Sequence, residues 1–453
     1  MRRSSLFAAI AVIIVSHSVE ALYPINDLAV TPAMGWDNWN AFGCSVTENI
    51  LLSTSERIAA IGLRDVGYQY IVLDDCWSLG RDKEENLQHD PEKFPHGLKY
   101  VADQLHSLGF RFGMYSDAGT YTCGKYAGST AKITSERYRT MSDALNATGR
   151  SILYSMCNWG EDYLWKWAQT VANSWRMSGD IYDSFDRPDP RCPCTGDEGY
   201  ECAFPGFHCS AMNILNKAAS FIHTSVPGAW NDLDMLEVGN GGMDDEEYKT
   251  HFSMWAALKS PLLMGNDVTV MDAKSLSILN NPAVLAVSQD PIGVPAICRW
   301  RYYVNDTDAY GQGEIQMWSG PLSNGDQLVV LLNAGNCTRS MNATFADIFY
   351  ESGPEGTAPE VKQDWDIHDL WANRMDYATA QSVIDGNATS NVTRFYYNST
   401  ETSYKDGLAA NDTLLLGKFT GTVGAGGAIE TEVPRHGVAM MRLRKHSPAT
   451  TRK

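Results

Sequence analysis

The chain has 453 residues and a formal net charge of −18 at pH 7, and both values limit what it can be. This length suits a large barrel with a second domain better than one small core. A hydrophobic fraction of 44% and a charged fraction of 20% are ordinary for a globular protein. Because so acidic a chain repels phosphate backbones, nucleic acid is not an expected partner.

The first residues have the pattern of a secretory signal peptide. The basic pair Arg2-Arg3 precedes an apolar run, residues 6–15, that is too short to span a bilayer. Val19-Glu20-Ala21 fits a signal-peptidase site. We therefore expect residues 1–21 to be removed and the mature chain to be secreted, without membrane contact. The alternative is a retained N-terminal anchor.

Eight Asn-x-Ser/Thr sequons agree with passage through a secretory compartment. Seven of them follow residue 300, in stretches rich in Thr, Ser and Asn that are typical of exposed loops. The sequon positions are Asn146, Asn305, Asn336, Asn342, Asn387, Asn391, Asn398 and Asn411.

The ten cysteines should mostly be paired in an oxidising compartment. We expect Cys44 and Cys76 to be partners. Disulfides are the preferred interpretation, and a zinc site the alternative, for a loop that holds Cys192, Cys194, Cys202 and Cys209. No metal or other cofactor is expected, since no metal or nucleotide motif is found. The sequence assigns no partners to Cys123, Cys157, Cys298 and Cys337.

Short apolar runs alternate with helical patterns up to about residue 280. This alternation predicts parallel strands joined by crossover helices. The predicted strands are 33–39, 68–73, 111–116, 151–156, 173–175, 228–231 and 261–265. The predicted helices are 50–63, 98–108, 135–145, 163–172, 211–223 and 246–258.

Beyond about residue 290 the pattern changes to strand-like runs separated by turn residues. These runs are 312–319, 327–332, 413–419 and 437–442, with one helical pattern at 378–384. We predict an α/β fold with a (β/α)8-type barrel over residues 22–285. An all-β antiparallel sandwich should follow over residues 286–453.

Polar residues follow the predicted barrel strands, at the end where such a barrel carries its chemistry. They are Asp37, Asp74, Asp75, Asp117, Asn158, Arg176, Asp232 and Asp234. Only seven barrel strands are predicted, whereas a closed barrel of this type has eight.

Adjacent carboxylates and tryptophans suggest a sugar site. The hydroxyls of a sugar are suitable donors to Asp74 and Asp75, although two solvated loop acids are the simpler alternative. Trp36 could present a flat face to a sugar or could be a core residue. Arg176 and Asp180 are four residues apart, a spacing also typical of a helical ion pair. Carboxylates and aromatic residues together favour glycoside hydrolysis by paired acids.

Six motifs, in this order, resemble the α-galactosidases of glycoside hydrolase family 27, in their fungal branch. They are Met34-Gly35-Trp36-Asp37-Asn38-Trp39, Leu73-Asp74-Asp75-Cys76-Trp77, Gly113-Met114-Tyr115-Ser116-Asp117-Ala118-Gly119, Thr122-Cys123, Ser174-Trp175-Arg176 and Trp230-Asn231-Asp232-Leu233-Asp234-Met235. The resemblance extends from about residue 28 to the end. It implies hydrolysis, with retention, of terminal α-galactose on oligosaccharides or polysaccharides.

The resemblance also implies roles for individual residues. Asp180 would be the acid/base, and Arg176 beside it would orient the sugar and support the ionised carboxyl. Asp74 and Asp75 would bind galactose hydroxyls, and Trp36 would stack on the ring. The remaining implied pocket residues are Tyr115, Trp159 and Asp234.

One part of the family pattern is missing. The nucleophile motif on the fourth barrel strand, Lys-Tyr-Asp-Asn-Cys, does not occur in this chain. Instead, Tyr126-Ala127-Gly128-Ser129 continues almost directly into Ser135-Glu136-Arg137-Tyr138, which resembles the helix after that strand. A strand–helix unit of about 30 residues is therefore predicted to be missing between Ser129 and Ser135. We expect severely impaired turnover, because a covalent nucleophile is lost.

Other functions stay open. A non-catalytic relative would keep Asp74, Asp75 and Trp36 but not cleave the galactoside. An α-N-acetylgalactosaminidase would differ in how the pocket admits the 2-substituent of the sugar. Nothing in the sequence places a substitute nucleophile opposite Asp180, although three acids follow it on a loop: Asp183, Asp186 and Asp189.

Overall fold

The structure is a computed structural model that describes residues 26–117, 121–126, 134–188, 192, 209–349, 358–388 and 396–446. The expected signal peptide, Cys194, Cys202, Asp189 and residues 127–133 at the expected deletion lie outside these residues. Across the described ranges, no helix has the length and apolar character that a membrane crossing requires.

The first domain is built on short strands. In chain order they are β1 (Met34–Asp37), β2 (Tyr70–Leu73), β3 (Ser78–Arg81), β4 (Leu87–His89), β5 (Arg111–Met114), β6 (Ser155–Met156), β7 (Ser174–Arg176), β8 (Trp230–Asp232) and β9 (Leu262–Met264). β3 and β4 form a separate antiparallel hairpin that the sequence did not predict. The other seven strands are parallel and overlap the seven predicted strands, although only the last two residues of the strand predicted over 151–156 form β6.

The seven barrel strands belong to two sheets. One sheet has the order β5-β2-β1-β9, and the other has the order β6-β7-β8. A parallel bridge between Leu236 and Met264 joins them on one side. On the other side, β5 and β6 are edge strands with no neighbour among the described residues. The described wall is therefore open between β5 and β6, where the strand–helix unit was predicted to be missing.

The helices of this domain are α1 (Trp39–Phe42), α2 (Glu48–Ala60), α3 (Leu63–Val66), α4 (Leu98–Ser107), α5 (Thr134–Ala147), α6 (Ala211–Ala219), α7 (Asp245–Ala257), α8 (Ala273–Leu279) and α9 (Pro282–Ser288). Several of these helices begin at a residue whose side chain caps the first turn. Asp244, for example, accepts the backbone N–H groups of Glu246 and Glu247 in a capping box at α7.

The predicted helix over residues 163–172 is wrong. The chain forms two short 3-10 turns instead, Glu161–Lys166 and Ala168–Thr170. Asp162 and Tyr163 have φ values of 55° and 52°, in the left-handed region that ends a right-handed helix.

The second domain is a β-sandwich. Its strands are β10 (Ile297–Tyr303), β11 (Glu314–Pro321), β12 (Gln327–Asn333), β13 (Arg339–Thr344), β14 (Trp365–Asp369), β15 (Lys418–Val423), β16 (Ala428–Val433) and β17 (Gly437–Lys445). They form an antiparallel sheet of order β10-β11-β12-β17-β14-β15 and the antiparallel pair β13-β16. Its helices are α10 (Phe345–Ile348), α11 (Tyr377–Ile384), α12 (Tyr404–Ala409) and α13 (Thr413–Leu416).

Two boundaries differ from the sequence predictions. The predicted strand at 413–419 is wrong in its first half, because Asp412 caps α13 and the strand begins only at Lys418. The expected domain boundary at residue 285 falls inside α9, so we propose a boundary between Ser288 and Ile297. One buried core joins the domains: Trp255 and Val284 of the barrel share it with Val330 of the sandwich.

Disulfides connect Cys44 to Cys76 and Cys192 to Cys209. The disulfide between Cys192 and Cys209 favours the disulfide interpretation of their loop over the zinc alternative. Four other described cysteines have free thiols: Cys123, Cys157, Cys298 and Cys337.

Candidate active site

An arginine at the end of β7 connects two carboxylates. Nη2 of Arg176 lies 3.0 Å from Oδ1 of Asp180 and 2.5 Å from Oδ2 of Asp234. Arg176 belongs to a strand and Asp180 to the loop after it, so their spacing does not produce a helical ion pair. The arginine therefore links the ends of β7 and β8.

Asp234 anchors the loop that carries Asp180. Its carboxylate accepts the backbone N–H of Ile181 at 2.8 Å and that of Met235 at 2.8 Å. The residue is buried and has a φ of 80°, an uncommon conformation outside glycine. Burial raises the pKa of Asp234 to about 7, against the opposing effect of Arg176. Asp234 thus helps to position the loop that carries Asp180.

Two hydrogen bonds hold the carboxylate of Asp180, both through its Oδ1 atom. Trp159 donates its indole N–H to Oδ1 at 3.2 Å, and Arg176 donates to the same atom. The side chain of Asp180 is 37% exposed, and no described residue donates to Oδ2. The free oxygen can exchange a proton with a bound molecule.

Asp74 and Asp75 differ in their surroundings. Asp75 is 2% exposed, and its carboxylate accepts backbone N–H groups from Cys76 at 2.6 Å and Gly124 at 2.8 Å. Two solvated loop acids are therefore the wrong interpretation. Asp74 is half-buried; Asn38 accepts its backbone N–H at 2.8 Å.

The pKa of Asp74 depends on the charged residues near the ends of the other strands. Burial raises its pKa to about 7, and the negative charges of Asp75, Asp180 and Asp234 act in the same direction. Oδ1 of Asp74 accepts the N–H of Asp75, whereas no described residue donates to Oδ2. The acidic residues at or after the ends of β2, β7 and β8 thus form one cluster of interacting charges.

The aromatic candidates have different accessibility. Trp36 is 0% exposed and donates its indole N–H to the carbonyl of Asn266 at 2.9 Å, so the structure favours the core alternative for it. Tyr115 is half-buried at the end of β5; its carbonyl accepts the indole N–H of Trp77 at 2.8 Å. Burial raises the pKa of the Tyr115 hydroxyl, with Cys157 and Asp74 adding to the effect.

The loop acids after Asp180 have other partners. Asp183 accepts the Tyr248 hydroxyl at 2.9 Å. Burial raises the pKa of Asp186 to about 7, and the nearby charges that add to this belong to Glu314 and Asp308 in the second domain. Neither side chain is brought to Asp180 in the described contacts, so no substitute carboxylate is supported.

Two residues that contact the site acids were not predicted from the sequence. Asn38 accepts the N–H of Asp74, and Gly124 donates to Asp75. Asn38 lies inside the first quoted motif, which was a usable signal. Gly124 carries no side chain, so only its place in the fold reveals its contribution.

The chain is similar to known α-galactosidases over most of its length. The profile described as "Alpha galactosidase A" matches residues 31–136, 130–189 and 208–290, and the profile "Alpha galactosidase C-terminal beta sandwich domain" matches residues 312–394. The "Alpha-galactosidase" of Lachancea cidri is 52% identical over 450 aligned positions, which cover 92% of this chain and 95% of that protein.

Solved structures agree. The α-galactosidase of Saccharomyces cerevisiae superposes with a TM-score of 0.89 at 50% identity, covering 93% of this chain and 99% of that chain. A structure of the S. cerevisiae enzyme with raffinose gives the same values. The α-galactosidase I of Mortierella vinacea gives a TM-score of 0.76 at 38% identity, covering 92% and 98%. These matches confirm the predicted barrel-type domain followed by a β-sandwich.

Proposed function

This chain belongs to the α-galactosidases of glycoside hydrolase family 27, and from that membership we propose that it binds terminal α-galactose but turns galactosides over poorly. The observation that carries the binding proposal is the pairing of Arg176 with Asp180 and Asp234, two carboxylates whose negative charges also act on Asp74. Asp74 and Asp180 each keep one carboxylate oxygen available to a sugar hydroxyl. The ligand is a galactosyl oligosaccharide or polysaccharide, and raffinose in the S. cerevisiae structure supports this class.

We assign the acid/base role to Asp180. Arg176 and Trp159 hold its Oδ1, which leaves Oδ2 for the glycosidic oxygen. A retaining enzyme needs a second carboxyl about 5–5.5 Å away, on the other side of the anomeric carbon. In this family that group belongs to the fourth barrel strand.

Three observations support loss of that strand. The described barrel wall is open between β5 and β6. The family profile matches residues 31–136 and 130–189 as separate ranges, which meet where the unit is predicted to be missing. The alignment to the L. cidri protein runs over 450 positions but includes only 92% of these 453 residues, which leaves about 30 positions without a counterpart.

The test compares this chain with a variant that carries the L. cidri segment inserted between Ser129 and Ser135. Release of p-nitrophenol from the α-galactoside measures hydrolysis, and calorimetry with galactose measures binding. We expect both proteins to bind galactose. The unmodified chain should hydrolyse the substrate on the order of a million-fold more slowly, as for loss of other covalent nucleophiles.

The outcomes separate the alternatives. Release by the unmodified chain at the rate of the L. cidri enzyme would contradict loss of the nucleophile. A folded insertion variant that binds galactose without release would favour a non-catalytic binding protein. Tighter binding of N-acetylgalactosamine than of galactose would favour an α-N-acetylgalactosaminidase.

We also propose that the mature chain is secreted and glycosylated. The disulfides Cys44–Cys76 and Cys192–Cys209 support an oxidising compartment. N-terminal sequencing of protein from the culture medium should start near Leu22, and an intact residue 1 would contradict removal of the signal peptide.

A further inference from the structure

The loop that carries Asp180 contacts the second domain with two aromatic interactions. The rings of Phe185 and His436 are stacked, with centroids 4.7 Å apart and planes inclined by 22°. Two residues further along the loop, Cζ of Arg187 lies 5.3 Å from the centroid of the Tyr310 ring. His436 belongs to the turn between β16 and β17, and Tyr310 lies between β10 and β11. The second domain therefore reaches the loop from two of its own connections.

The barrel holds the same loop through its backbone. The N–H groups of Ala211 and Met212, at the start of α6, donate to the carbonyls of Ser184 and Phe185 at 3.0 Å and 2.9 Å. The side chain of Phe185 is 5% exposed and stacks on the other domain. The loop is therefore enclosed between α6 of the barrel and the turn of the sandwich.

His436 is itself fixed to the barrel helix α7. Its Nδ1 lies 2.6 Å from Oε1 of Glu247, and its carbonyl accepts the hydroxyl of Thr250 at 2.8 Å. The preceding residue, Arg435, lies 3.0 Å from the carboxylate of Asp244. Because these contacts hold the turn in place, the imidazole ring is a rigid surface against which Phe185 packs.

The conformation of His436 is costly. Its φ of 51° is in the left-handed region, which an L-residue with a side chain adopts at a cost. Its Nε2 is buried and has no hydrogen-bond partner among the described residues, which is also unfavourable. Residues in such conformations cluster where the surrounding structure requires a particular side chain position. Here that position is the stack on Phe185.

We propose that His436 is a positioning residue for the galactose pocket. Its ring holds Phe185, and through Phe185 it holds the loop that places Asp180 beside Arg176. The inference rests on the proposed function, in which Asp180 contacts the sugar. A loop that leaves this arrangement lowers the fraction of molecules that can bind, and the apparent affinity falls in proportion. The second domain thus contributes to sugar binding through the loop that it contacts.

The variant His436→Asn separates the ring from the other contacts of this residue. Asparagine tolerates a positive φ and can donate to Glu247, but it has no ring to stack on Phe185. Galactose affinity, measured by calorimetry on the full chain, should fall about three- to tenfold, the range for loss of one aromatic pair.

Amide hydrogen exchange shows whether the effect is local. Exchange over residues 181–186 should become faster in His436→Asn, because this stretch includes the N–H of Ile181 that is bonded to Asp234. A purely structural role of the histidine would lower the melting temperature without a selective change in this loop.

His368→Asn is the matched control. His368 also belongs to the second domain, and its ring contacts that of Phe419, with centroids 5.7 Å apart. These two residues lie on the neighbouring strands β14 and β15 of the sandwich. Galactose affinity of this variant should stay within twofold of the unmodified chain, with the same exchange over residues 181–186.

Phe185→Leu removes the stack from the barrel side, and it replaces His436→Asn if that variant does not fold by circular dichroism. The variant with both changes should lose no more affinity than the weaker-binding single variant, because both changes remove the same contact.

Three results would overturn the inference. They are unchanged affinity and exchange in His436→Asn, an equal change in His368→Asn, and losses that add in the combined variant. If the unmodified chain does not bind galactose, the proposed function fails, and exchange over residues 181–186 decides the inference alone. Faster exchange in His436→Asn than in His368→Asn would then support it, and equal exchange would contradict it.

Discussion

The backbone N–H of Gly124 donates to Oδ2 of Asp75 over 2.8 Å, so the loop after β5 is held against the loop after β2. A Cβ at Gly124 would lie 2.6 Å from Sγ of Cys76 and 3.1 Å from Oδ2 of Asp75. Only a residue without a side chain permits this contact. The hydrogen bond that holds the Asp75 carboxylate in place therefore depends on a residue that has no side chain.

Replacement of Gly124 tests this dependence. Gly124→Ala should displace the loop and weaken galactose binding about tenfold, since overpacking of this kind costs about 1–3 kcal/mol. Calorimetry measures the change. Gly80→Ala is the matched control, because a Cβ at Gly80 meets nothing within 4 Å. Equal affinities for the two variants would show that the contact does not matter.

Stability should fall as the pH rises from about 4 to about 7. Burial raises the pKa of Asp234 from 3.8 to about 7, so the folded state holds a proton that the unfolded state has lost. The stabilisation is complete below the unfolded pKa and disappears as the pH passes the folded pKa. For Asp234, which is almost fully buried, the loss is at most about 4 kcal/mol.

Urea denaturation at pH 4, 5, 6 and 7 measures this fall. Asp234→Asn should make the free energy of unfolding depend less on pH. Asp82→Asn should not, because hydrogen bonds from Asn86 lower the pKa of Asp82 and its titration lies below this window. A stability that rises between pH 4 and pH 7 would contradict the protonated state of Asp234.

Trp36 should contribute to folding. Trp36→Phe removes the hydrogen bond to Asn266 and leaves a cavity, so the free energy of unfolding should fall by about 1–3 kcal/mol. Trp167→Phe is a suitable control, since its indole also donates to a backbone carbonyl, that of Asp162, but the side chain is only half-buried. A loss of galactose affinity without a loss of stability would instead support stacking of Trp36 on the sugar ring.

A buried arginine of the second domain lies close to the segment that joins the two domains. Nη1 of Arg442 lies 3.0 Å from Oδ2 of Asp326, and Nη2 lies 3.9 Å from Oδ2 of Asp290, with all three side chains at most 3% exposed. Arg442→Met leaves both carboxylates without this charge and should destabilise the protein by about 3–5 kcal/mol.

The surface pair Arg64–Asp65 provides the comparison for that experiment. Its side chains are 33% and 34% exposed, so Arg64→Met should change the free energy of unfolding by less than about 1 kcal/mol. Denaturant titration of both variants gives the difference, and similar losses would argue against the buried network.

The sequence predicted the barrel strands well because each is an apolar run between helical patterns. Its failures have local physical causes. The helix at 163–172 fails where Asp162 and Tyr163 adopt positive φ values that no composition signals. The segment 413–419 is apolar enough for a strand, but the cap at Asp412 starts a helix there.

The site was predictable in part for a similar reason. Arg176 and Asp74 stand out in the sequence because charged residues follow apolar strands, whereas Asp180 was singled out by the resemblance to the family. The sequence does not show which of these residues has which role, because the role of a carboxylate depends on which of its oxygens already accepts a hydrogen bond. The hydrogen bond from Gly124 to Asp75 and the burial of Trp36 follow only from tertiary contacts.

The pairing of β1 has a consequence for synthesis on the ribosome. β1 bonds to β2 on one side and to β9, roughly 230 residues later, on the other. The sheet β6-β7-β8 consists of consecutive strands, so it can assemble as a local unit while β1 still has a free edge. The strand that closes the edge of β1 is therefore the last barrel strand to be made. Until it emerges, the nascent chain carries an open edge that chaperones must shield from other chains.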